Sequence, residues 1–139
     1  MKSLACIFFA ASACVVAEPV KKIDVIADQE WHLAATNSNL PVVAKATMRI
    51  AKDGKINGQA PVNHYFGQIT LNGRGDCEWG KGFGSTMMGG PPVMMDAEQK
   101  FFEALAKTAK VDLSDGVLTF RSDQGKTKVV FHQAHPARK

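Results

Sequence analysis

The chain has 139 residues and a mass of 15.0 kDa, the size of one ordinary domain, with 45% hydrophobic and 22% charged residues. That composition is globular, and it excludes a collagen, a coiled coil, a polytopic membrane protein and a multidomain enzyme. The net charge of +4 comes from scattered cations, with only Lys21-Lys22 adjacent before the tail, so no basic stripe for nucleic acid is present.

Residues 1–17 read as a signal peptide. Lys2 supplies the positive start, and Leu4 to Val16 is an uncharged apolar run of about 13 residues, short of the roughly 18–20 that span a bilayer. Val15 and Ala17 are small enough for a cleavage site before Glu18-Pro19. Ala11-Ser12-Ala13-Cys14 offers a second reading, a lipobox in which Cys14 would be lipidated. The chain is thus expected to be exported to the periplasm, or to be an outer-membrane lipoprotein, with membrane contact only if Cys14 is modified. Cleavage after Ala17 removes Cys6 and Cys14, leaving Cys77 without an internal disulfide partner.

Glu18 to Ile23 is expected to be a short mobile leader. Trp31 to Thr36 is the first expected strand, and Ala46 to Ile50 alternates as a half-buried strand does. Asp53-Gly54 is a hairpin turn pair, with Lys55 to Gln59 as the return strand. His64 to Leu71 is aromatic and β-branched, Asn72-Gly73 is the next turn, and Cys77 to Trp79 is a short strand. A helix is expected over Asp96 to Lys110. Asp96 and Gln99 have capping-box spacing, Phe101, Leu105 and Ala109 form an apolar stripe, and Lys107 and Lys110 suit the C-terminal dipole. Val111 to Leu113, Val117 to Arg121 and Lys126 to His132 then read as strands, separated by Asp115-Gly116 and Gln124-Gly125. The organisation is one domain over residues 24–133 with a frayed tail, 134–139. Many antiparallel strands around one helix make an α+β domain.

The landmarks occur in an order that resembles the META domain (HslJ-like) family. Trp31-His32-Leu33 resembles its opening W-x-L, and Asp53 to Gly58 resembles its D-G-x-[apolar]-x-G hairpin. Asn63-His64-Tyr65-Phe66-Gly67 resembles its C-N-x-Y-x-G signature from the second position on. Thr86-Met87-Met88 resembles a T-x-M element, and Glu98, Phe101-Phe102 and Leu105 resemble the helix pattern. The family-motif residues are therefore Trp31, Gly58, Asn63, Tyr65, Gly67, Thr86, Met88, Glu98, Phe101 and Leu105. The family often carries Cys before the Asn and again shortly after the Met. Here those positions are Val62 and Gly90, absent together as expected of residues that touch. The resemblance implies an antiparallel β half-barrel, or cracked barrel, packed against one main helix. It also implies a small stress-related envelope protein without a catalytic reaction.

Three clusters invite chemistry. Asn63, Tyr65 and Gly67 suit a recognition loop, but also a structural role in which Asn bonds backbone, Tyr packs its ring and Gly permits a bend. The latter is the expectation. Met87-Met88-Gly89-Gly90-Pro91-Pro92-Val93-Met94-Met95 brings four thioethers round a rigid turn, and soft sulfur selects Cu(I), with His64 as a further ligand. The expected role is instead packing, with Met88 in the core and the others filling gaps beside the helix. A periplasmic Cu(I)-binding protein using segment 87–95 is the alternative function. Asp76-Cys77-Glu78 lacks the electropositive surroundings a nucleophilic thiolate needs. His32, His132 and His135 lack helical or hairpin ligand spacing, so no zinc site is assigned. The reading is a non-enzymatic binding or structural module. It is expected to be monomeric and to have no cofactor, metal or catalytic residue. Its partner, an envelope protein or a small ligand, is not legible.

Overall fold

A computed structural model describes residues 18–36 and 45–133, with the side chains of Ala35 and Thr36 left out. The expected signal segment, Cys6, Cys14 and the 134–139 tail lie outside the described residues.

Alternation and turn chemistry lay down the strands. These are β1 (Glu18–Pro19), β2 (Glu30–Thr36), β3 (Thr47–Ile50), β4 (Lys55–Gln59) and β5 (His64–Leu71). After them come β6 (Cys77–Trp79), β7 (Gly84–Ser85), β8 (Lys110–Ser114), β9 (Val117–Arg121) and β10 (Lys128–Gln133). They form one antiparallel sheet in the order β1-β8-β9-β10-β2-β3-β4-β5-β6, with β7 also on β5. The sheet curls into a half-barrel. At its seam the segment before β6 meets the start of β8. There Asp76 bridges Lys110, the Cys77 N–H donates to the Ala109 carbonyl at 2.8 Å and the Val111 N–H donates to the Gly75 carbonyl at 2.9 Å. Lys110 Nζ lies 2.7 Å from Asp76 Oδ1 across the same seam. That hydrogen bond, with one from Asn72, holds the Asp76 carboxyl below its ordinary range.

Glu18 to Ile23 does not behave as a mobile leader. Glu18 and Pro19 pair with Leu113 and Asp112, and the Val20 N–H donates to the Val111 carbonyl at 2.9 Å. Val20 is buried. The free edge of β8 beyond the seam offers unpaired backbone groups, and the leader satisfies them.

The helix α1 runs over Pro92–Ala106, four residues earlier at each end than the Asp96–Lys110 expectation. Pro92 occupies the first turn, where its missing N–H costs nothing and its fixed φ is already helical. Asp96 therefore caps nothing. It pairs instead with Lys100 at 3.0 Å, one turn on, while Gln99 Nε2 donates to Glu103. Thr108 closes the other end by donating its hydroxyl to the Leu105 carbonyl at 2.6 Å. Lys107 is the C-cap and Lys110 is already in β8.

Phe101 and Leu105 are fully buried, and Ala97, Glu98 and Ala104 complete the inward face. Ala109 of the expected stripe lies past the helix end. The core is an aromatic stack inside the half-barrel. Tyr65 meets Phe101 and Phe102 edge-on at 5.6 and 5.5 Å, and Phe120 meets Phe131 at 5.9 Å. Trp31 is buried and donates its indole N–H to the Ile26 carbonyl at 3.1 Å. Among the described residues no helix is long and apolar enough to cross a membrane.

Candidate functional site

Asn63 immediately precedes β5, and Glu98 lies on the inward face of α1; both are almost wholly buried. Glu98 Oε1 accepts the backbone N–H of Val62 at 2.8 Å and of Asn63 at 2.7 Å. Its Oε2 accepts the Asn63 side-chain amide at 2.7 Å. The second amide hydrogen of Asn63 reaches the Met88 carbonyl at 3.2 Å. Asn63 Oδ1 accepts the Met88 N–H at 2.7 Å and the Thr86 hydroxyl at 2.9 Å. Every donor and acceptor of the Asn63 side chain is thereby used. A buried carboxylate is tolerable because three N–H groups replace its water. The arrangement ties three distant segments together: the turn before β5, the strand leading to the Met segment, and the helix.

The other family-motif residues serve the same scaffold. The Tyr65 hydroxyl donates to the Thr47 carbonyl at 2.6 Å. Burial pushes its pKa up, so the phenol stays protonated. Gly58 makes room for that pair, since a Cβ there would stand 2.2 Å from the Thr47 carbonyl oxygen and 2.9 Å from Tyr65 Cε1. Gly67 does not serve a bend as expected. It lies within β5, where a Cβ would stand 2.9 Å from the ring of Phe83 packed over it.

Met88 contradicts its expected place in the core: it is 63% exposed, and only its backbone is held. Met87 is 92% exposed, and Val93 and Met95 are 59% and 37% exposed. These are not gap-fillers. The reason is the Asn63 clamp, which fixes the Met88 backbone on the rim and leaves its side chain outside. Met87, Met88 and Met95 line one open cleft of about 680 Å³, with Asn63, Glu98 and Phe102 also on its wall. His64 is joined to Thr86 through the backbone but is not among the residues lining this cleft.

Sequence spacing missed one pair. His32 and His132 stand directly opposite on β2 and β10, and His32 Nε2 lies 3.4 Å from Glu30 Oε2. Register across strands, not spacing along the chain, brings them together. Among the described residues no three His, Cys, Asp or Glu side chains converge as a metal cluster. Cys77 is buried and free. Burial, then the Asp76 charge, push its thiol up to about 12, so at neutral pH it is not a thiolate.

A curled antiparallel half-barrel clasping one helix, with its polar centre consumed in structure, defines a small α+β barrel-like domain. The META domain family model matches residues 24–135, most of the chain, and the protein belongs to that family. No curated protein matches the sequence. Among solved structures, the chain is similar to a DUF4847 family protein from Bacteroides vulgatus. The two are 14% identical with a TM-score of 0.60, over 83% of this chain and 99% of that one. It is also similar to a structure determined by NMR, at 20% identity and a TM-score of 0.56, over 81% of this chain and 95% of that one. At these identities the likeness shows the fold alone.

Proposed function

We propose that this META-domain protein is an exported, non-enzymatic envelope module with a stress-related role, which acts by binding through the face built by residues 85–99. The carrying observation is the concentration of exposed apolar side chains there. Met87, Met88, Val93 and Met95 crowd one stretch of nine residues beside a cleft, with the Met88 backbone pinned by part-buried hydrogen bonds to Asn63. Large side chains left in water on a fixed frame favour recognition over packing. Export rests on the signal-like sequence of residues 1–17. The non-enzymatic reading is supported by the Glu98 carboxylate and Asn63 amide being occupied with one another, and by the protonated, buried Cys77.

The test is a photoreactive residue in place of Met87, in cells producing the full chain, with a control probe at Lys52. We expect a discrete envelope cross-link from position 87 that Val93→Ser weakens, and recovered protein starting at Glu18 or at a lipidated Cys14 by intact mass. Product retaining Met1 in the cytosol overturns export. Identical cross-links from positions 87 and 52 overturn the binding face.

A further inference from the structure

We propose that the cleft between the Met segment and the start of α1 takes a soft monovalent metal ion, Cu(I) or Ag(I), through the thioethers of Met87, Met88 and Met95. This inference rests on the binding reading above and names its ligand class.

Three of the four methionines in segment 87–95 line the same cleft, and all three remain exposed. A methionine that fills a core gap is enclosed by carbon neighbours, whereas Met87 and Met88 are 92% and 63% exposed and Met95 is 37% exposed. Thioether sulfur is a soft, neutral donor that prefers Cu(I) over hard divalent ions. The donors come from a pinned frame. Asn63 holds both the N–H and the carbonyl of Met88, and Met95 rides on the first turn of a helix anchored through Glu98. Ordering cost is therefore already met for the backbone of Met88 and Met95, which favours ligation by side chains that need only choose rotamers.

Charge is the second consideration. The N-terminal end of α1 carries partial positive charge and disfavours a cation close by. Two carboxylates line the same cleft and oppose it: Asp96, shared with Lys100, and the Glu98 carboxylate, whose three donors are neutral N–H groups. Met94 is not among the lining residues and serves as an internal control.

The experiment is titration of purified protein with Ag(I), and with Cu(I) against a chromogenic chelator, read by competition and by methyl NMR of the methionines. Wild type is expected to bind one ion and to shift the Met87, Met88 and Met95 methyl signals. Each single Met→Leu at these positions is expected to weaken binding by roughly tenfold or more, and Met94→Leu to change nothing. Leu keeps volume and apolarity, so these variants stay folded. Wild type that does not compete with the chelator overturns the inference, as does a Met87→Leu, Met88→Leu, Met95→Leu triple variant that binds like wild type. If the wild type fails to compete for the metal but still forms the envelope cross-link from position 87 that Val93→Ser weakens, an apolar partner occupies the face and the metal inference is overturned. The binding module then stands without the metal.

Discussion

A Cβ built on Gly90 stands 3.8 Å from the Cβ of Val62, and 3.1 Å from both of its methyl groups. That separation is the one found between the β-carbons of disulfide-bonded cysteines. The two positions where the family pattern carries Cys are thus neighbours in space, although neither is Cys here. Val62→Cys with Gly90→Cys should therefore oxidise spontaneously. The bridge would close a loop of about thirty residues and stabilise by roughly 3.5 kcal/mol in the chain-entropy model. Thiol counting and unfolding with and without reductant check this. Gly90→Ala alone should destabilise slightly, because the new methyl crowds Val62.

The Asn63–Glu98 contact should behave as one unit. Glu98→Gln turns an acceptor into a donor facing the Asn63 amide, and should cost about 1–3 kcal/mol. Asn63→Ala strands the Met88 N–H and one oxygen of Glu98, and should cost as much or more. The double variant should cost clearly less than the sum, as contacting residues in one network do. A double-mutant cycle in urea measures it, and strict additivity would show that the two side chains act separately.

Gly58→Ala should cost about 1–3 kcal/mol or more, since the added methyl meets the Thr47 carbonyl and the Tyr65 ring, neither of which can swing aside. Gly89→Ala is the matched control. Nothing lies within 4 Å of a Cβ there, and the change should be close to neutral. Denaturant midpoints of the two variants provide the comparison.

Cys77 should resist thiol reagents at pH 8 in the folded protein and react at once after denaturation. The same burial gives stability an alkaline dependence. A free thiol loses its proton near pH 9, whereas folded Cys77 holds its proton to about 12. Between those values the unfolded chain binds fewer protons than the folded one, so unfolding free energy falls as pH rises. The contribution is intact below pH 9 and is lost towards 12. Cys77→Ala should fall less steeply over that range when urea midpoints are followed with pH.

Much of the sheet was legible because its punctuation is chemical. Asp53-Gly54 and Asp115-Gly116 end strands whose alternation is plain, and Lys55–Gln59, His64–Leu71, Cys77–Trp79 and Val117–Arg121 match the expected bounds. The helix start was not legible, because Pro91-Pro92 looks like a break and Asp96-x-x-Gln99 imitates a cap. Asn63 and Glu98 could be marked as family positions, but their contact spans 35 residues and is made only by the fold. The exposure of Met88 was hidden for the same reason. A backbone clamp leaves no trace in hydropathy, so an outward methionine and a core methionine read alike. His32 and His132 escaped because cross-strand register is not written in local spacing.

The docking of β1 fixes an orientation. Pro19 packs against Gly75 at the seam, where the chain beyond the C-terminal end of α1 also arrives through Ala109 and Val111. The Met-lined cleft lies at the other end of the same helix, whose 15 residues put roughly 22 Å between the two. Whatever is attached upstream of Glu18 therefore pulls on one pole of the domain, and the exposed methionines sit at the opposite pole. A leash at the N-terminus, whether a lipid or a fused protein, would hold the domain like a lamp on a short stalk, lit side away from its mount.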